Sequence, residues 1–176
     1  MSQSIYQKVL GNDFNLLGSN LQLAHKTMGT VKGNGTIDVE WGKGFFIRLM
    51  CKLNGLPPEG KQQELELEIV RDENLETWNR KFKSKVFTTT QFEKKGLLVE
   101  KDGPVALSFK MKVEDGALVY EHVKVKFAGI PVPGFMAMKS RAIATEQENG
   151  WKAMVEVTTP LFGLVLRYNA SVKLSK

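Results

Sequence analysis

Residues 105–127, VALSFKMKVEDGALVYEHVKVKF, decide the fold. In the first half of this stretch, apolar side chains at every second position alternate with polar or small ones, which is typical of a strand with one buried face. The pair Asp115-Gly116 then predicts a tight hairpin turn, because both residue types tolerate the left-handed backbone that such turns need. A second strand is expected over about 117–127, antiparallel to the first.

The same alternation recurs on both sides of this hairpin and predicts about nine or ten strands in all. Sequential strands that are joined by hairpins pair antiparallel. So many strands in one sheet leave long exposed edges unless the sheet curls or closes. We therefore expect a mainly β fold, either an antiparallel barrel or a strongly curved sheet. Besides the hairpin above, strands are expected over about 29–41, 61–69, 78–86, 86–92, 97–101, 139–148, 151–159 and 164–174.

Helical spacing is confined to the first third of the chain. Short helices are expected over about 3–26 and a covering helix over about 45–54. In the covering helix, Phe46, Leu49, Met50 and Leu53 form one apolar stripe, which predicts that this stripe packs over one mouth of the barrel. A glycine and two prolines then end the helix. The strands that follow extend over about 61–175, and residues 1–176 are expected to form a single domain.

The composition excludes several functions. The 176 residues carry a net charge of +6 but only one cysteine and two histidines, so neither a metal site nor a cofactor is expected. Lysines near 81–85 lie across the sheet from glutamates near 64–68, which assigns much of the charge to a solvated outer face and argues against nucleic acid. With no apolar run of about 20 residues, a cytoplasmic protein is expected. Membrane-surface binding through lysines with Phe135 and Met136 is the least favoured alternative.

Three charged residues fall on the apolar phase of their strands and are candidates for the interior: Arg80, Glu100 and Glu121. An unpaired buried charge is strongly unfavourable, so each needs a partner, a cavity or a bulge that turns it outward. A pair inside the barrel would orient the polar end of a ligand. The expected ligand-binding residues are Arg80 and Glu100 at the polar end and Trp78, Phe82, Phe109 and Tyr168 along the wall.

Four further residues have simpler interpretations. His25 is expected to be a hydrogen-bonded structural residue, with a role as general base or in ligand contact as the alternative. His122 and Arg167 are expected to face solvent. Cys51 is expected to act as a small buried apolar side chain, because it lies within the apolar covering helix.

The order and spacing of several short motifs resemble the bacterial "domain of unknown function 4166" family over about residues 5–174. The resemblance places Trp78, Arg80, Glu100 and Tyr168 within motifs, but it brings no catalytic residues with it. Such domains occur alone or behind a dehydrogenase-like Rossmann module, which implies a reductase-like partner. The motifs are Gly55-Leu-Pro-Pro-Glu-Gly60, Glu76-Thr-Trp-Asn-Arg80 with Phe82, Gly96-Leu-Leu-Val-Glu100, Gly103-Pro104, Val113-Glu-Asp-Gly116, Ile130-Pro-Val-Pro133, and Pro160-Leu-Phe-Gly163 leading to Arg167-Tyr168.

Three functions are compatible with these features. The favoured hypothesis is a domain that binds a small, largely apolar ligand in the interior of the barrel. The second is an enzyme of the isomerase or lyase type that acts on such a ligand, with Glu100 or His25 as general base. The third is a non-catalytic module that docks on a reductase-like partner through an exposed apolar patch near residues 130–136.

Overall fold

The computed structural model describes residues 3–53, 55–83 and 85–175. Within these ranges three α-helices are present, α1 (Ile5–Leu10), α2 (Ser19–Lys26) and α3 (Phe45–Leu53), and a 3-10 helix over Gly11–Leu16 joins the first two. In the described part of the chain, no helix has the length and apolar character needed to span a bilayer. The strands are β1 (Gly29–Trp41), β2 (Gly60–Arg71), β3 (Glu76–Phe82), β4 (Lys85–Lys94), β5 (Leu97–Asp102), β6 (Val105–Glu114), β7 (Ala117–Phe127), β8 (Ile130–Pro131), β9 (Lys139–Gln147), β10 (Gly150–Thr159) and β11 (Gly163–Leu174).

The strands close into a barrel. Their order is β6-β5-β4-β3-β2-β1-β11-β10-β9-β7, and β7 pairs with β6 to complete the circle, while the short β8 extends from β7. The pairings of β1 with β11 and of β6 with β7 are both antiparallel, as are the others. The prediction of a mainly β fold with about nine or ten antiparallel strands is therefore confirmed, and of its two alternatives the structure has the barrel, with one strand added outside the closed circle.

The hairpin of residues 105–127 forms β6 and β7. Asp115 and Gly116 occupy the turn with φ values of 49° and 77°, the left-handed conformation that a tight hairpin requires. Farther along, Ser108 pairs with Lys124 but Phe109 pairs with His122, so Val123 is an extra residue in β7. This bulge separates two stretches of β7 that follow different alternation patterns.

The bulge corrects two expectations on β7. Glu121 does not face the interior, because it forms an ion pair with Lys112 on the outer face and both side chains are partly exposed. His122 does not face solvent, because its ring lies edge-on to Phe109 with the ring centroids 6.0 Å apart. The alternation across residues 119–123 predicted the wrong face for these positions. Before the bulge, the residues that point into the barrel are Leu118 and Tyr120.

The first two helices cover one end of the barrel, which we call the closed end. Helix α1 begins with a capping box in which Ser4 and Gln7 bond each other's backbone N–H groups. The start of α2 is held by Glu146 of β9, whose carboxylate accepts hydrogen bonds from Ser19 and from the backbone of Asn20. Ile5, Leu21 and other side chains of these helices are fully buried and fill the closed end.

Helix α3 lies at the opposite end of the barrel, which we call the open end. Its bounds match the prediction, but its orientation does not. Ile47 and Cys51 are the buried side chains, and the Cys51 thiol lies 3.6 Å from the carbonyl oxygen of Val165. On the other side, Arg48 bonds Glu59 at 2.6 Å, which holds that face toward solvent. The predicted core stripe is therefore exposed: Phe46, Leu49, Met50 and Leu53.

A fully buried ion pair joins the closed end to the sheet. Arg71 at the end of β2 donates two hydrogen bonds to Glu76 at the start of β3, at 2.6 and 3.0 Å. Arg71 also donates to the carbonyl oxygen of Thr27 after α2, and the Trp78 indole donates to Glu76 at 3.2 Å. Because every charge has a bonded partner, this network tolerates burial and ties α2 to the β2–β3 hairpin.

Removal of the Arg71–Glu76 ion pair should destabilise the folded protein. Glu76→Gln leaves the Arg71 guanidinium buried without its counter-charge, so we expect a loss of about 3–5 kcal/mol in the free energy of unfolding. Urea denaturation followed by circular dichroism measures it. The matched control is Glu66→Gln, which breaks the exposed Lys81–Glu66 pair on the same two strands. Equal effects of the two substitutions would contradict the structural role of the buried pair.

Candidate functional site

The interior of the barrel contains two adjoining cavities. The outer cavity has a volume of about 340 Å³ and lies toward the open end, where Cys51 of α3 forms part of its lining. The inner cavity, of about 100 Å³, lies toward the closed end and is lined in part by His25 of α2. The two cavities share five lining residues, so they meet at one level of the barrel: Arg80, Glu100, Ser140, Val155 and Tyr168.

The outer cavity is mostly apolar. Residues of eight strands and of the α3–β2 connection form most of its wall, and most of the strand residues face inward as the alternation along each strand requires. Phe127 lines the cavity and is itself 56% exposed, so the cavity reaches the protein surface beside it. The apolar lining includes Leu56, Phe87, Leu107, Phe127, Val157 and Leu166.

Polar groups converge where the two cavities meet. Arg80 donates from Nη1 to the Thr89 hydroxyl at 2.9 Å, and that hydroxyl donates to Glu100 Oε1 at 2.8 Å. Arg80 Nη2 lies 3.5 Å from the same carboxylate oxygen. The guanidinium also lies against the faces of Trp78 and Phe87, at 5.1 and 5.6 Å from the ring centroids, which fixes its plane.

The Arg80 guanidinium keeps unused hydrogen-bonding capacity. Its five N–H donors exceed the two contacts it makes with Thr89 and Glu100 among the described residues. Both charged side chains are mostly buried, with 13% of Arg80 and 23% of Glu100 exposed. The remaining donors are therefore available to a ligand that enters either cavity.

Asp102 adds a second carboxylate to the outer cavity, two residues after Glu100 on the same face of β5. Partial burial raises the pKa of Asp102 above its usual value, and the negative charge of Glu100 raises it further. The positive charge of Arg80 lowers the pKa of Asp102, but by less than burial and Glu100 raise it. The polar side of the cavity thus contains one cation and two carboxyl groups.

Aromatic rings line much of the inner cavity, and one of them, Tyr120, contacts Tyr6, which is buried behind the lining. Tyr6 of α1 donates to Gln91 at 2.7 Å, and its hydroxyl lies 3.1 Å from that of Tyr120. Burial raises the pKa of both tyrosines, so both hydroxyls stay protonated. These bonds connect the N-terminal helix to β4 and β7.

His25 lines the inner cavity with an unpartnered ring nitrogen. The imidazole stacks on Tyr6 with the ring centroids 3.9 Å apart, and burial together with the positive charge of Arg71 lowers its pKa to about 3. Its Nδ1 has no hydrogen-bond partner within the described ranges. The expectation of a hydrogen-bonded histidine is therefore not met at this atom. A neutral, buried, unsatisfied nitrogen at a cavity wall is available to a ligand or a water.

The structure brings together most of the residues that the sequence pointed to. Arg80, Glu100 and Tyr168 line both cavities, while Trp78 and Phe109 line the inner one. Phe82 is buried in the core but is not part of either lining, because β3 has by then reached the rim of the barrel. Arg167 and Cys51 lie as expected, Arg167 on the outer face in a pair with Glu156 and Cys51 buried.

Sequence reasoning missed several polar lining residues that the strand phases could have identified. Asp102 follows Leu98 and Glu100 at every second position, and Thr89 and Gln91 continue the phase of Phe87 in the same way. Ser140 and Tyr120 carried no comparable signal, since short or bulged strands precede or interrupt them. Within the described ranges, no three His, Cys, Asp or Glu side chains come together as metal ligands would.

These features define a closed, ten-stranded antiparallel β-barrel with an interior cavity of ligand size. The chain belongs to the family described as "Domain of unknown function (DUF4166)", which matches residues 17–172. The match spans all eleven strands except the last residues of β11, as well as α2 and α3, and begins after α1. No match to a curated protein was found.

The proximity of the two carboxyl groups predicts a coupled titration. Glu100→Gln should lower the pKa of Asp102 toward its ordinary value, because the neighbouring negative charge is removed and Arg80 becomes free to pair with Asp102. Carboxyl ¹³C chemical shifts recorded against pH measure this pKa. Glu93→Gln, which changes a partly exposed carboxylate near the closed end, is the control. An Asp102 pKa that does not respond to Glu100→Gln would contradict the arrangement.

The burial of His25 predicts a pH-dependent stability. The unfolded chain protonates this histidine below about pH 6.5, whereas the folded protein does so only below about pH 3, so the unfolded state binds more protons between these values. Stability contributed by the neutral ring is therefore lost as the pH falls through this window. Between pH 7 and pH 4.5 the loss should be about 2–3 kcal/mol.

His25→Phe should remove that part of the pH dependence, because phenylalanine cannot bind a proton. Urea denaturation at pH 7 and at pH 4.5, for the variant and the unmodified protein, gives the difference. His122→Phe is the control, since His122 is only half-buried and its pKa is lowered less severely. The same loss of stability on acidification in His25→Phe and in the unmodified protein would disprove the assignment.

Proposed function

We propose that this protein binds a small, largely apolar molecule that carries one uncharged polar group, with the polar group at the Arg80–Glu100 level of the barrel. The observation that carries the proposal is the outer cavity, in which apolar walls converge on a few polar side chains. Sites of this composition, concave and apolar with a small number of oriented polar groups, are typical of small-molecule recognition.

The size of the cavity supports this function. At about 340 Å³, the outer cavity lies at the lower end of the range for small-molecule sites, roughly 300–1,000 Å³. The inner cavity, at about 100 Å³, adds room for water or for a small substituent, since a single water needs only roughly 10–15 Å³. Transfer of an apolar ligand from water to these walls is favourable by roughly 25 cal/mol for each Å² buried.

The charges around the polar end select the kind of head group. One guanidinium faces two carboxyl groups, those of Glu100 and Asp102. A ligand carboxylate would add a third negative group and would be repelled, whereas a hydroxyl or carbonyl can accept from Arg80 without adding charge. A hydroxyl can also donate to a carboxylate oxygen. The site therefore favours an alcohol or ketone over an acid of the same size.

An isomerase or lyase activity has less support from the geometry. A general base works best when its pKa lies near the operating pH, and burial lowers the pKa of His25 to about 3. Glu100 Oε1 is held by Thr89 and Arg80, so this oxygen belongs to the polar network of the barrel and is not aimed at a substrate proton. We therefore propose binding as the function.

A displacement experiment tests the proposed ligand class. The neutral fluorophore N-phenyl-1-naphthylamine should bind the purified protein with increased emission, because the outer cavity excludes water around it. 1-Nonanol should displace the fluorophore at a concentration about tenfold lower than nonanoate at pH 8, because of the excess of carboxyl groups in the cavity. Failure of the fluorophore to bind, or tighter binding of the acid, would contradict the proposal.

Two substitutions on one strand separate cavity binding from surface binding. Val157 on β10 lines the outer cavity, so Val157→Trp should fill it and weaken fluorophore binding about tenfold or more. Met154 on the same strand is exposed, so Met154→Trp adds the same ring outside the barrel and should change nothing. If both variants lose binding equally, the fluorophore does not occupy the cavity.

A further inference from the structure

The open end presents an unusual group of exposed apolar side chains. They belong to three separate segments: α3, the β7–β9 connection and the β10–β11 turn. Each is between 56% and 77% exposed, although large apolar side chains are usually covered in a folded protein. We call this group the mouth face: Phe45, Phe46 and Leu53 of α3, Ile130 and Phe135 of the connection, and Leu161 and Phe162 of the turn.

The mouth face surrounds the entrance to the outer cavity. The cavity lining includes Cys51 of α3, and also Phe127 and Met138, which flank the β7–β9 connection. Val165 and Leu166, just after the β10–β11 turn, complete that side of the lining. A molecule that enters the cavity from this end must therefore pass between the segments that bear the mouth face.

Positive charge accompanies the apolar side chains. The described connections at the open end, together with the one strand residue on each side of them, contain six basic residues and two acidic ones, Glu59 and Asp102. The same count at the closed end gives five basic and seven acidic residues over the described chain. The two ends of the barrel thus have opposite charge. The basic residues of the open end are Lys43, Arg48, Lys52, Lys83, Lys85 and Lys139.

We propose that the mouth face docks on the surface of a bilayer that contains anionic lipids, and that the apolar ligand exchanges with the cavity while the protein is docked. Apolar side chains that project among lysines are suited to this surface, because the former enter the boundary of the acyl chains while the latter remain at the headgroups. The part of the proposal that concerns ligand exchange rests on the proposed function above.

The composition of the face favours a bilayer over a protein partner. The core of a protein–protein interface is depleted in lysine relative to the rest of the surface. Here lysines flank the exposed phenylalanines of α3, with Lys43 three residues before Phe46 and Lys52 six residues after it. Each juxtamembrane lysine or arginine adds attraction to an anionic leaflet that salt weakens, so both charge and apolar insertion contribute.

Vesicle co-sedimentation tests the docking. The full chain should bind vesicles of phosphatidylcholine with 30 mol% phosphatidylglycerol at least about tenfold more strongly than vesicles of phosphatidylcholine alone, and added salt should reduce the difference. Equal binding to both vesicle types, or binding to neither, would overturn the proposal.

Two pairs of matched variants locate the contact. The double variant Phe45→Ser/Phe46→Ser should weaken vesicle binding about tenfold or more, whereas Leu16→Ser/Leu23→Ser, which changes exposed apolar residues at the closed end, should leave it unchanged.

Lys43→Glu/Lys52→Glu should remove the preference for anionic vesicles, whereas Lys94→Glu/Lys173→Glu, near the closed end, should keep it. Circular dichroism verifies that each variant folds. Equal losses at both ends would overturn the assignment of the face.

The two proposals fail in distinguishable ways. Val157→Trp should weaken fluorophore binding about tenfold or more but retain vesicle binding. Phe45→Ser/Phe46→Ser should weaken vesicle binding but retain fluorophore binding in free solution. Vesicle binding without any ligand binding would overturn the proposed function and the exchange step, while docking would stand. If native mass spectrometry instead shows that the phenylalanine substitutions abolish a stable complex with a second copy or another protein, while vesicles bind no variant, the face is a protein interface and the bilayer proposal is wrong.

Discussion

The closure of the sheet is the constraint on which the rest of the structure depends. Because β7 pairs with β6 at one side and β1 with β11 at the other, every strand in the circle has two neighbours and one face directed inward. A barrel of about eight strands is just wide enough for side chains to fill, and this one has ten. The interior must therefore either be filled by other elements or remain a cavity. Helices α1 and α2 fill the closed end, whereas α3 buries only Ile47 and Cys51 at the open end and leaves the outer cavity beside it in the part of the chain that the structure describes.

The polar groups inside follow from the same constraint. A charged residue on an inward position has little access to bulk water, so it is tolerated only with a partner. Arg71 and Glu76 satisfy each other completely, in a network that also includes Trp78 and the end of α2. Arg80 and Glu100 are less completely satisfied, and they lie where two cavities meet. The Arg71–Glu76 pair ties the closed end to the sheet, whereas the Arg80–Glu100 pair retains hydrogen-bond donors that its contacts with Thr89 and Glu100 do not use.

The strands were predictable because alternation and turn chemistry are local. Asp115 and Gly116 specify a hairpin by their backbone preferences alone, and the in-phase positions of Arg80 and Glu100 indicated an interior location correctly. The bulge at Val123 was not predictable, because no sequence signal marks the extra residue. The bulge nevertheless decides which face of the sheet Glu121 and His122 occupy. The orientation of α3 was not predictable either, since the apolar stripe that would normally be buried is the one exposed. The contacts of Ile47, Cys51 and Arg48 with other segments decide its rotation, and such contacts are not local.

The unequal charge of the two ends has a consequence for how the molecule moves before it touches anything. A body with positive charge at one end and negative charge at the other experiences a torque in an external electric field. Close to any negatively charged surface, within roughly a Debye length of 8–10 Å at moderate salt, this torque turns the barrel axis so that the open end leads. The rotational search that precedes a productive encounter is thereby shortened, and the entrance to the cavity arrives already facing the surface.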